Sequence, residues 1–147
     1  MTSGNKPAIR HAVPADLSRV KRLADAHRHE LGFVLLPSLR EQIDRGEMLV
    51  AESAGNVIGF VDFHRRRDRQ MTLYHIAVAP TIQRQGVGLG LLVALEEAAR
   101  AADCSHILLK CPVDLPANHF YQRYGFQLHE TLTGRKRALH VWTLPLP

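Results

Sequence analysis

The chain has 147 residues, 46% of them apolar and 22% charged, with two cysteines and a net charge of +5. That length suits one compact domain able to bury roughly two-thirds of the surface its unfolded form exposes, and the composition excludes a disordered, collagen-like or disulfide-stapled chain. No apolar run approaches the roughly 18 to 20 residues a membrane helix needs, and the opening Met1-Thr2-Ser3-Gly4-Asn5-Lys6 lacks the hydrophobic segment of a signal peptide. A cytoplasmic protein with no membrane partner is expected, residues 1–5 forming a disordered tail and 6–147 a single domain. Cys104 and Cys111 lack CxxC spacing and read as reduced, buried thiols, so no metal site is expected.

Residues 7–13 read as a first strand, and Pro14 opens a helix with an apolar stripe of Leu17, Val20, Leu23, Ala24 and His27. After Gly32, Pro37-Ser38 precedes a short helix over 39–45, stopped by Gly46. Strand-like runs follow at 48–52, 57–64 and 71–79, separated by turn-forming residues and then by an arginine-rich stretch. A long helix over 89–102 carries Leu91, Leu95, Ala98 and Ala102 on one face, with Glu96, Glu97 and Arg100 on the other. The chain ends with a strand at 106–111, a helix at 114–124 closed by Gly125, and a strand pair at 126–131 and 138–144. The order β α α β β β α β α β β favours an α/β fold of α+β type, in which a mixed, mainly antiparallel sheet of about seven strands is flanked by four helices.

The positive charge raises the question of nucleic acid. Basic residues are scattered, apart from Arg65-Arg66-Arg67 with Arg69 and Arg135-Lys136-Arg137, each placed at an expected hairpin turn. No recognition-helix or RNA-motif pattern accompanies them, so no nucleic-acid partner is expected; a polyanionic small molecule suffices.

The most informative segment runs from Ile76 through Val78, Pro80, Gln83, Gly86 and Gly88 to Gly90, a strand, a glycine turn and a helix start. The first N–H groups of a helix lack internal partners, the helix dipole makes them electropositive, and glycine lets backbone approach an anion closely. A P-loop would need Lys-Ser/Thr after its second glycine, where Leu89-Gly90 stands. The dinucleotide fingerprint G-x-G-x-x-G would need glycine at Leu91 and a preceding βαβ unit, and neither is present.

Gln83-x-x-Gly86-x-Gly88 after Val78-x-Pro80 resembles the pyrophosphate signature of the Gcn5-related N-acetyltransferase (GNAT) superfamily, whose members commonly carry glycine where this chain has Arg84. The resemblance implies the GNAT fold, with the backbone of Ile76 and Val78 holding a pantetheine arm. It further implies that residues Gln83, Arg84, Gln85, Gly86, Val87 and Gly88 hold the pyrophosphate of acetyl-CoA, the expected co-substrate. Residues 114–126 resemble the family's late helix, with Asp114 in place of its usual asparagine and well placed as an N-cap before Pro116. Asn118 is then the candidate coenzyme contact. Tyr121 falls at the family's acid position, touching the coenzyme sulfur and protonating the departing thiolate.

Acyl transfer to an amine needs a neutral nucleophile, a polarised carbonyl and a proton for the leaving thiolate. The resemblance gives the carbonyl donor to the N–H near Val78. Some relatives place a glutamate base where Thr72 stands here, so His75 is the nearest titratable alternative, beside the reading that it is an ordinary strand histidine. The acceptor, an amine of a small molecule or peptide, is expected between the region holding Arg28, His29, Phe33 and Leu36 and the terminal strands with Trp142. The stretch 65–69 reads either as an attractor of acidic acceptors or as a solvated hairpin tip. Two functions stay open: an acyl-CoA-dependent N-acetyltransferase, or a coenzyme-binding sensor with little turnover. A homodimer is compatible with either.

Overall fold

Alternating apolar positions and turn formers set the strands, which in this computed structural model are β1 (Ala8–His11), β2 (Met48–Ser53), β3 (Asn56–Arg65), β4 (Gln70–Val78), β5 (His106–Pro112), β6 (Gln127–Leu132) and β7 (Leu139–Pro145). The helices are α1 (Leu17–Ala26), α2 (Arg28–Leu31), α3 (Leu36–Asp44), α4 (Val87–Ala101) and α5 (Ala117–Tyr124), with 3-10 turns at Pro14–Asp16 and Pro80–Ile82. The structure describes residues 7–83, 85–133 and 136–147. The sheet order is β1-β2-β3-β4-β5-β7-β6. Pairings β1–β2, β2–β3, β5–β7 and β6–β7 are antiparallel, while β4 runs parallel to β5 with a register over Gln70–Thr72. This is the mixed, mainly antiparallel sheet of seven strands that the element order implies.

Five α-helices are described where four are expected from sequence. The first predicted helix breaks at His27, whose backbone leaves the helical region at φ −110° and ψ 26°, and a four-residue α2 follows. Two helix starts also shift. α3 begins at Leu36 and takes Pro37 into its first turn, where the N–H that proline lacks has no intrahelical use. α5 begins only at Ala117, and Asp114 does not cap it: no side chain bonds the helix start, and the Asp114 carboxylate instead accepts from Arg137 Nη2 at 2.8 Å.

Two compact units emerge from the chain's contacts. The first comprises the chain to Phe63 together with His75–Leu95, the second His64–Tyr74 with Glu96–Pro147. In the first, α1 presents Val20, Leu23 and Ala24 and α3 presents Leu39 and Ile43 to Met48, Val50, Phe60 and Ala77, making one apolar cluster. Phe60 and Leu39 are fully buried there, and truncating either to alanine is expected to cost about 3 to 5 kcal/mol. Gly59 on β3 is a packing requirement: a Cβ at that position would lie 3.1 Å from the Ala77 carbonyl and 3.2 Å from Leu91 Cδ1. The N-terminal half of α4 can therefore pack close over β3. Arg10 ties β1 to its surroundings through both Asp16 oxygens, at 2.8 and 3.1 Å, and Glu52 at 2.8 Å. The guanidinium holds the Asp16 carboxyl below the usual carboxylate range.

The second unit is built on β5, whose Ile107, Leu109 and Cys111 are buried at every other position, as a half-covered strand requires. Tyr121, Phe126, Val141 and Trp142 are buried in the same unit. The arginine stretch is partly absorbed here. Arg65 Nε donates to the Ala102 carbonyl at 2.9 Å and Arg69 Nε to the Asp103 carbonyl at 2.9 Å, so two of its cations sit on carbonyls of the turn just past the C-terminus of α4. That is where the helix dipole favours positive charge.

Candidate active site

β4 ends in the first unit at a peptide group held on both sides. The Ala79 N–H donates to Ile58 O at 2.8 Å, and the Val78 carbonyl accepts from His27 Nε2 at 2.7 Å and Gln83 Nε2 at 3.3 Å. The 3-10 turn Pro80–Ile82 then leads to Gly86, whose φ of +84° is a left-handed conformation that a side chain would strain. Its carbonyl accepts the Gly90 N–H at 3.0 Å, so α4 starts directly from this glycine. The N–H groups of the first α4 turn have no carbonyl one turn earlier in a helix to bond, which leaves an electropositive backbone cradle behind an exposed Gly86. Val87 differs from its neighbours: its side chain is buried, with Cγ1 3.3 Å from the place of a Gly59 Cβ, so only its backbone can serve the cradle. Arg84 lies outside the described residues.

His75, also in the first unit, has Nδ1 2.9 Å from Oδ1 of Asp62. Asp62 is buried on β3, while the imidazole is about a quarter exposed. A buried carboxylate beside one ring nitrogen orients the imidazole and leaves the other ring nitrogen to face a reactant, an arrangement suited to a base. Sequence reading missed Asp62; the signal was a charged residue inside the apolar run of β3. Thr72, where some relatives carry glutamate, has its hydroxyl oxygen accepting from Arg66 Nε at 2.8 Å and Gln70 Nε2 at 2.6 Å.

The second unit supplies α5. Tyr121 is 6% exposed, its ring packed against Phe120 and Phe126. Among the described residues nothing hydrogen-bonds its hydroxyl, and desolvation pushes its pKa well above the ordinary phenol value. Tyr124 one turn later is different: its hydroxyl donates to Glu96 Oε1 at 2.7 Å, and Glu96 in turn holds Arg100.

Asn118 is buried and internally committed. Its amide nitrogen donates to Pro112 O at 2.8 Å and Leu115 O at 2.9 Å, and its oxygen accepts from Trp142 Nε1 at 2.8 Å. The sequence suggests this amide as a coenzyme contact; in the structure it fastens the start of α5 to β5 and β7. Trp142, expected beside an acceptor, is buried with its only donor taken by Asn118. On the α2–α3 connection the expected acceptor residues stay outside: Phe33 is 76% exposed with Arg28 stacked 4.6 Å from its ring centroid, and His29 and Leu36 are exposed. Among the described residues, no group of three or more His, Cys, Asp or Glu side chains could hold a metal, and no helix is long and apolar enough to cross a membrane.

The strand, glycine turn and helix N-terminus, followed by the aromatic α5, fall within residues 17–126, and over those residues the chain matches the acetyltransferase (GNAT) family. It is a member of the GNAT family. Solved GNAT-like structures share the fold. Ard1 from Thermoplasma volcanium superimposes with a TM-score of 0.88 at 22% identity, covering 97% of this chain and 99% of its own. A ribosomal-protein-alanine N-acetyltransferase from Brucella melitensis does so at 0.81 and 25% identity, with coverages of 95% and 99%. N-acetylglutamate synthase from Neisseria gonorrhoeae, solved with coenzyme A and N-acetyl-glutamate, matches at 0.84 and 19% identity, over 99% of this chain and 36% of the synthase. No curated protein matches this GNAT sequence.

Proposed function

We propose that the chain is an acyl-CoA-dependent N-acetyltransferase, residues 6–147 acting as one catalytic domain, that moves an acetyl group from acetyl-CoA to a primary amine. The observation that carries the proposal is the turn from β4 into α4 in a GNAT chain, where Gly86 at φ +84° is exposed and the first N–H groups of α4 have no helical carbonyl to bond. The cradle at Gln83–Gly88 receives the pyrophosphate, and the N–H of Val78 polarises the thioester carbonyl. The amine nitrogen attacks that carbon, the C–S bond breaks, and the phenol of Tyr121 gives its proton to the departing sulfur. A phenol kept neutral by desolvation holds that proton across the physiological range. His75, oriented by Asp62, takes the proton released by the amine directly or through water. Asn118 serves by fixing α5 rather than by touching the coenzyme.

The acceptor is left at the level of an amine. Structural relatives include a ribosomal-protein-alanine N-acetyltransferase and an N-acetylglutamate synthase solved with N-acetyl-glutamate, which supports an amino group on a protein terminus or amino acid as acceptor class. One observation favours the second reading, a coenzyme-binding sensor: at the position of the family's glutamate, Thr72 offers no carboxylate and its hydroxyl is held by Arg66 and Gln70. Two measurements separate these outcomes. Saturating acetyl-CoA should raise the melting temperature, since a ligand bound only by the folded state stabilises it by mass action, and ATP or NAD should not match it. Thiol release with an amine panel should then exceed release without amine. No thermal shift at millimolar acetyl-CoA sinks both readings; a shift with no amine-dependent thiol release leaves the sensor.

A further inference from the structure

His27 has no part in the chemistry above, yet both of its ring nitrogens are engaged in the first unit. Nε2 lies 2.7 Å from the Val78 carbonyl oxygen and Nδ1 2.6 Å from Oε2 of Glu30. A carbonyl can only accept, so Nε2 carries a hydrogen; a carboxylate at 2.6 Å requires a second proton between it and Nδ1. The result is a carboxylate–imidazole–carbonyl chain running from a half-exposed Glu30 through a buried His27 to the last residue of β4. An apolar residue would fill the inner face of α1 equally well, as Leu23 and Ala24 do one turn earlier, and would leave that carbonyl without this donor.

The peptide plane gives the contact a purpose. Because the Ala79 N–H points to Ile58 O, the Val78 carbonyl of the same planar unit points to the opposite edge, and in an extended residue the N–H lies on the edge of its own C=O. We propose that His27, held by Glu30, is a positioning residue for acetyl-CoA: by gripping the Val78 carbonyl it fixes the orientation of this strand-end residue, and with it the N–H aimed at the thioester. The inference rests on the reading that Val78 binds the thioester end of the coenzyme.

Calorimetric titration of the full chain with acetyl-CoA tests it without an acceptor. His27→Phe keeps a ring and removes the donor, and its Kd should rise about tenfold, the size of one lost hydrogen bond. His27→Gln, whose amide can still donate to Val78 O, should return to within about threefold of wild type. Glu30→Gln, a change at a half-exposed site, should raise Kd by about threefold through loss of the charge that steadies the ring, and it decides the matter if His27→Phe does not fold. A folded His27→Phe protein within about twofold of wild type overturns the proposal, as does a His27→Gln protein as weak as the phenylalanine variant or a Glu30→Gln protein equal to wild type. Packing alone would lower the melting temperature of both His27 variants without separating their affinities. Absence of binding by the wild-type chain would overturn the reading of the site itself, and this inference with it.

Discussion

The end of β4 and helix α5 approach the same proposed reaction with different materials. At β4 and the turn into α4 the proposed functional groups are main-chain N–H and C=O groups, and side chains such as His27, Gln83 and Val87 hold or bury that backbone. On α5 the proposed functional group is one side-chain hydroxyl, and the neighbouring polar groups of Asn118 and Tyr124 make internal bonds. The difference teaches how each region fails. A backbone site is damaged by added bulk or by loosening, whereas a side-chain site is damaged by deleting one atom.

The sharpest use of that contrast is Tyr121→Phe. It keeps the ring contacts with Phe120 and Phe126, and because the hydroxyl bonds no described residue, its removal should leave the melting temperature within a degree or two. Amine-dependent thiol release should fall on the order of a hundredfold with acetyl-CoA affinity little changed, the usual size of general-acid help. Unchanged turnover would reduce Tyr121 to a core residue.

Alkaline pH should separate the regions next. Burial pushes the Cys111 thiol up to about 11 from an ordinary 9.0, and Tyr121 and Tyr124 are also raised, all in the second unit. The unfolded chain loses these protons first, so stability is fully present below pH 9 and is lost as pH rises toward the folded values. Chemical denaturation at pH 8 and 10.5 should differ by on the order of 2 kcal/mol, and Cys111→Ala should flatten part of the slope; an equal slope in that variant would remove the thiol from the account.

At the backbone site, Gly86→Val tests bulk. No atom of the described residues beyond its chain neighbours lies within 4 Å of a Cβ built there, so the expected folding cost is that of the left-handed conformation, about 1 to 2 kcal/mol. Acetyl-CoA affinity should drop about tenfold, since the side chain occupies the anion's approach; a folded variant that binds as wild type would make the turn purely structural. The smallest effect is expected from Tyr124→Phe, which deletes the bond to Glu96. It should cost about 1 kcal/mol of stability and leave turnover within about twofold, the reverse of the Tyr121 pattern.

Much of this was readable before any coordinates. The Val78-x-Pro80 and Gln83-x-x-Gly86-x-Gly88 spacings announce the strand end, the glycine turn and the start of α4, because proline and glycine punctuate elements at such junctions. Element order likewise followed from period and punctuation. What remained hidden was long-range polar pairing. His27 reads as part of the apolar stripe of α1, and it is indeed buried there, but its partner lies 51 residues away. The one local hint was Glu30 three residues later, a spacing that places the carboxylate over the ring. Asp114 carried the right residue type for a cap, and Arg137, 23 residues on, took it instead. Asn118 looked available because amides on helices commonly face solvent; Trp142 and two carbonyls claim it.

The arginines on the carbonyls just past α4 have a consequence for local opening. Helix ends ordinarily fray alone, at little free-energy cost. Here the turn that follows α4 carries Ala102 and Asp103 carbonyls gripped from residues 65 and 69, and the Arg69 carbonyl accepts the Ser105 N–H at 2.7 Å. Unwinding that turn therefore means releasing the β3–β4 hairpin end as well. The helix terminus and the hairpin form one cooperative opening unit, and the cations that suggested a nucleic-acid surface serve as a clasp on the chain itself.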